Sequence, residues 1–147
     1  MGKKNETDPT KETSAVTRVF SILVNPEAVS NFAGIGDNGA KKVVAFAEEQ
    51  RSTNKHNFLE VDVPAQVAAR SDNLLHDIGI HLPPAGADFQ IDVCGIKTDV
   101  SNWLFMLALR RLGYNARFNQ DASCTGWTEP LPSMQRDILE EFPDFLD

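Results

Sequence analysis

Three glycines and a scatter of carboxylates are the residues in this sequence whose spacing invites chemistry. Gly34, Gly36 and Gly39 form a G-x-G-x-x-G run ahead of a helical stretch, the pattern in which backbone amides and a helix N-terminus receive a phosphate. Glu60 or Asp62, about 20 residues on, stands where a ribose-binding acid belongs. Three features oppose this. The nearest convincing strand ends at Val24, a short helix intervenes before the glycines, and Asp37 brings negative charge to the place a phosphate would take. The plainer reading is a helix-to-helix loop in which glycines supply positive φ and Asp37 or Asn38 caps the next helix.

Asp88, Asp92 and Lys97 have the residue types of a metal-dependent nuclease, where carboxylates hold Mg²⁺ and a lysine positions the attacking water. Strand alternation does not bring Asp92 and Lys97 to one face, because they are an odd number of residues apart with Gly95 between. Solvated strand-edge charge is the simpler account, and no metal site is expected. Cys124 would be a reactive thiol only with a base beside it, and His56, His76 and His81 all lie far away in sequence. It is expected to be a loop cysteine packed beside Trp127.

The clearest asymmetry is at the C-terminus. From residue 119 onward, Asp121, Glu129, Asp137, Glu140, Glu141, Asp144 and Asp147 face Arg136 alone, so this segment carries nearly all of the net charge of −7. Phe142, Phe145 and Leu146 lie among these acids. Such acidic-hydrophobic alternation is used by segments that fold onto a partner's groove. Asp137, Glu140, Glu141, Phe142, Asp144, Phe145 and Leu146 are the expected contact residues for another protein.

Composition narrows the field. At 147 residues with 41% hydrophobic content, the chain fits one domain with a core that needs no metal or disulfide. The negative balance argues against nucleic-acid backbone as a partner. Cys94 and Cys124 are the only cysteines, one in an expected strand and one in a loop. A reducing, intracellular compartment, cytoplasmic or nuclear, follows. No apolar run is long enough for a signal or a membrane span.

These residues need elements to position them. Residues 1–14 are polar and read as a disordered tail, followed by a single domain over 15–147. Residues 15–24 fit both a helix and a strand, and their β-branched content favours a strand. Asn25-Pro26-Glu27 opens a short helix, residues 40–51 form another, 58–63 a strand, and 64–78 a further helix stopped at Gly79. Phe89, Ile91 and Val93 alternate with Gln90, Asp92 and Cys94, as in a half-buried strand. Val100 to Leu112 is apolar nearly all round, capped by Thr98 or Asp99 and stopped at Gly113. Tyr114, Ala116 and Phe118 alternate again. A long loop follows over 119–132, and Ser133 caps a last, acidic helix. The expected class is α/β or α+β, a three- to four-stranded sheet with helices packed on it, built round a β-α-β unit at 88–118.

Residues 100–132 resemble one segment of the plant PD-(D/E)XK-like family of unknown function, through Leu112-Gly113-Tyr114-Asn115-Ala116, then Cys124 and Trp127, then Pro130 to Pro132. In that family an acidic strand of the nuclease-like core comes next, whereas Ser133 to Asp147 here is acidic and helical in pattern. The resemblance therefore implies a fragment of such a fold without its catalytic half.

The leading expectation is a non-catalytic protein-interaction domain, with the acidic aromatic C-terminus as contact element and no cofactor. The alternatives are a small nucleotide- or phosphate-binding enzyme using Gly34 to Gly39, and an acidic mimic that occupies the groove of a nucleic-acid-binding protein.

Overall fold

β-branched and aromatic residues decide the first element. Val19, Phe20, Ile22 and Val24 suit a pleated, buried surface, and β1 is Arg18–Val24. The computed structural model describes residues 18–97 and 99–124. After β1 the chain runs through α1 (Pro26–Gly34), α2 (Asn38–Thr53), a 3₁₀ turn, β2 (Phe58–Val61), α3 (Ala65–Arg70), α4 (Leu74–Asp77), β3 (Phe89–Ile96), α5 (Val100–Arg111) and β4 (Asn115–Cys124). The four strands are all parallel, in the order β2-β1-β3-β4. The architecture is α/β, and the β-α-β unit expected at 88–118 is β3, α5 and β4.

Parallel neighbours need crossovers, and crossovers place helices over the sheet. α3, α4 and α5 cover one face, where Ile22, Val24, Ile91 and Val93 meet Trp103, Phe105, Met106 and Leu109. α1 and α2 cover the other, packing Val29, Ala40, Val43 and Ala47 against Leu23, Cys94 and Cys124. The chain steps from β1 outward to β2, then returns past β1 to β3. The direction of winding thus reverses between β1 and β3.

The second layer corrects the half-buried reading of β3. Asp92 is 6% exposed and Cys94 is fully buried, because a central parallel strand is covered on both sides. Asp92 tolerates this by accepting hydrogen bonds from Gln90 (2.6 Å), Arg117 (3.3 Å) and Asn119 (3.2 Å). The helix expected over 64–78 is two. Between them the Ser71 hydroxyl donates to the Asp77 carboxylate and accepts from the Asn73 N–H, while Asn73 Oδ1 accepts from His76 N–H. Short polar side chains there give the backbone an alternative to helix. β2 stops at Val61 rather than Val63.

β4 continues to Cys124, past the loop expected after Phe118. Its pairing with β3 shifts register between Val93 and Gly95. Asn119 Oδ1 accepts from the Asp121 and Ala122 N–H groups across that irregularity. A bulge of this kind hides a strand from a period-2 search. The tail 1–14 and the acidic helix 133–147 lie outside the described residues. Among the described residues no helix is long and apolar enough to cross a membrane.

β1, β3 and α5 approach closely at Gly95. This glycine has φ +129°, and a Cβ there would stand 2.9 Å from the Val24 carbonyl oxygen and 3.2 Å from Asn102 Nδ2. Gly34, by contrast, has open space around it. Gly95→Ala is expected to lower the unfolding free energy by about 2 kcal/mol or more, whereas Gly34→Ala raises it by about 0.5 kcal/mol. Urea denaturation followed by circular dichroism measures both; equal effects would contradict the close approach.

Candidate functional site

The glycine run joins one helix to another. Gly34 ends α1, Gly36 takes φ +101°, and Gly39 lies in the first turn of α2. The Asp37 carboxylate accepts the Ala40 N–H at 2.8 Å, so an acid of the chain itself occupies part of the helix head that a phosphate would need. Glu60, the candidate ribose acid, is held by a two-pronged contact from Arg51 (2.8 and 2.6 Å). That bond keeps its carboxyl below the ordinary glutamate range. Asp62 is exposed beyond the end of β2.

Asp88, Asp92 and Lys97 are not brought together. They fall before the start, in the middle and beyond the end of β3, spread along a strand that rises about 3.3 Å per residue. Among the described residues no cluster of three or more His, Cys, Asp or Glu side chains could hold a metal ion. Cys124 ends β4, buried against α2, and is not a loop residue. Burial, then the nearby Asp37 charge, pushes its thiol up to about 11; burial also pushes Cys94 up. Both are protonated at neutral pH, the opposite of an activated nucleophile. Trp127 and Asp137, Glu140, Glu141, Phe142, Asp144, Phe145 and Leu146 lie outside the described residues, as do Thr98 and the Pro130 to Pro132 turn.

The residues that do converge are ones the sequence offered only as helix caps. Asn25 follows β1 with φ 53° and ψ 62°, the one non-glycine residue at positive φ among the described residues. Asparagine tolerates this region better than most residues, although the proline that follows it restricts its backbone further. Its side chain does not cap α1. Instead Oδ1 accepts the Val63 N–H at 2.6 Å and Nδ2 donates to the Val63 carbonyl at 3.2 Å, while its backbone N–H donates to the Val61 carbonyl at 2.8 Å. One residue thus extends the β1–β2 pairing past the end of β2 and bends the chain into α1.

Asp99 stands at the head of α5, beyond the end of β3. Burial raises its carboxyl above the ordinary aspartate range, although the Asn25 amide and the Ser101 and Asn102 groups at the helix head pull the other way. Asn102 is 1% exposed, and neither atom of its side-chain amide has a hydrogen-bond partner. An amide in that state costs about 1–3 kcal/mol.

A cavity of about 410 Å³ opens here. Ala28 and Phe32 of α1 form one wall, Val63, Pro64 and Ala65 a second, and Ile96 an apolar surface at the end of β3; Asn25, Asp99 and Ser101 are its polar residues. It lies at the carboxyl ends of the strands beside the reversal between β1 and β3, the crevice where open α/β sheets bind ligands. Sequence signals for it exist at both strand-to-helix junctions, Asn25-Pro26 and Asp99-Val100. Only the strand order makes them neighbours.

Comparison with known proteins gives no match, whether to protein-family models, to curated proteins or to solved structures.

Proposed function

We propose that this chain is a small-molecule-binding α/β domain whose ligand enters the crevice between Asn25 and Asp99. The observation that carries this reading is the coincidence of three departures from ordinary structure at one place. A non-glycine residue held left-handed and a half-buried carboxyl line a cavity at the winding reversal, and an amide is buried unpaired at Asn102, next in sequence to the lining residue Ser101. Strain and unsatisfied polarity of this kind collect where function demands them. The cavity has the mixed lining of ligand pockets, mostly apolar with a few polar groups. The phosphate reading of Gly34 to Gly39 has less support, because Asp37 already holds an amide at the head of α2.

A small fragment library added to ¹⁵N-labelled protein should shift the amide resonances of Asn25, Ala28, Ala65, Asp99 and Ser101 as a group. Fragments that shift the Gly36 to Lys41 amides instead would favour the glycine loop. No clustered shift at either place would end the ligand-binding reading.

A second reading rests on charge. The chain's negative balance is concentrated after residue 119, with Phe142, Phe145 and Leu146 set among the acids. This supports a contact element for another protein, centred on residues 137–147. Deleting Asp137 to Asp147 should leave the far-UV circular dichroism unchanged and abolish capture of the partner that the full chain retains. An unfolded truncation would make the segment structural. If capture weakens steeply as salt rises, the acids are imitating nucleic acid.

A further inference from the structure

Resting on the crevice reading, we infer that the ligand is an organic cation: a primary ammonium on a compact apolar body, with the Asp99 carboxylate as its counter-charge. The inference comes from what surrounds that carboxylate. Among the described residues Asp99 is the only charged side chain lining the cavity, and no Lys or Arg lines it. Among the described residues, Lys97 after β3, Glu27 in the first turn of α1 and Asp62 before Val63 are close in sequence to lining residues; the two acids are exposed, and none of the three lines the cavity. Asn25 holds Val63 through both atoms of its amide and also reaches the Asp99 carboxylate. The Asp99 carboxylate accepts hydrogen bonds from Asn25 and from the Ser101 and Asn102 groups at the helix head, all of them neutral, so what it lacks is a counter-charge.

Each other ligand class fits this lining less well. An anion would bring a second negative charge against a half-buried carboxylate, with no cation in the lining to offset it. A purely apolar ligand would seal the carboxylate from water without a counter-charge, which is costly. An ammonium supplies both the missing charge and up to three donors, while its apolar body meets Phe32, Val63 and Ile96. The helix N-terminus behind Asp99 favours the ionised carboxylate that such an ion pair requires. A volume of about 410 Å³ suits a small molecule of this kind.

The test uses three probes of one shape on the intact ¹⁵N-labelled chain: cyclohexylmethylamine, cyclohexylmethanol and cyclohexanecarboxylate. The amine should shift the Asn25, Asp99 and Ser101 amides saturably and bind at least ten-fold more tightly than the alcohol, and the carboxylate should leave them unmoved. Because Asp99 titrates above the ordinary aspartate range, amine affinity should be full above that raised pKa. It should fall as pH drops through it, at a higher pH than an ordinary aspartate would give. Asp99→Asn, with its spectrum still that of the folded chain, should lose the amine at least ten-fold. Equal binding of alcohol or carboxylate, or undiminished amine binding by Asp99→Asn, overturns the cationic assignment. If library fragments occupy the crevice while the amine does not, the crevice stands and the ligand class falls. If neither binds, both fall together.

Discussion

A parallel sheet leaves no face for water, and that constraint organises this protein. Every strand-to-strand connection must carry a helix across the sheet, so β3 is covered from both sides. Ile91 and Val93 are sealed under α5, and Cys94 is sealed under the α1 and α2 layer. The cost of ordering so much chain is met largely by apolar burial. Trp103, Phe105 and Leu109, all fully buried, anchor the α5 side. Covering both faces also dictates that the winding changes direction between β1 and β3. Two chain segments therefore leave the carboxyl edge of the sheet on opposite faces, and a gap opens between them.

The gap is where local rules are broken. Asn25 holds a backbone conformation that its neighbour Pro26 does not favour, yet its two side-chain amide atoms and its backbone N–H let one residue serve as strand, corner and brace. Its contacts with Val61 and Val63 fix the crevice wall that the β2–α3 junction supplies. Asn102 lies one turn into α5, against Gly95, with its amide unpaired. Asp92, more deeply buried than Asp99, gathers Gln90, Arg117 and Asn119 around it. Asp92 has a cation, Arg117, among its partners, whereas the donors to Asp99, from Asn25 and the head of α5, are all neutral.

Much of this was legible from residue types alone. The central helix announced itself through Trp103, Phe105, Met106, Leu107 and Leu109, and its stop at Gly113 has φ +92°. β1 was ambiguous by period but not by its β-branched content. The second half of β4 was hidden because the bulge after Phe118 breaks alternation, and the split of the helix over 64–78 was hidden in the local bonding of Ser71, Asn73 and Asp77. The candidate site was least legible. Asn25 and Asp99 both look like helix caps, and the difference lies in which strands stand side by side, a fact held in non-local pairing. The glycine run illustrates the converse: its spacing is conspicuous, but a helix rather than a strand precedes it, and Asp37 turns inward to cap α2.

Native-state hydrogen exchange tests the central claim most directly, since it reads how deeply each strand is held. If β3 is the doubly covered centre of a parallel sheet, the amides of Ile91 and Val93 should exchange only through global unfolding, together with those of β1, while the edge strand β2 exchanges through smaller openings. Exchange at Ile91 and Val93 as fast as at Leu59 would contradict the account, because the crevice between Asn25 and Asp99 would then lack the rigid floor on which its geometry depends.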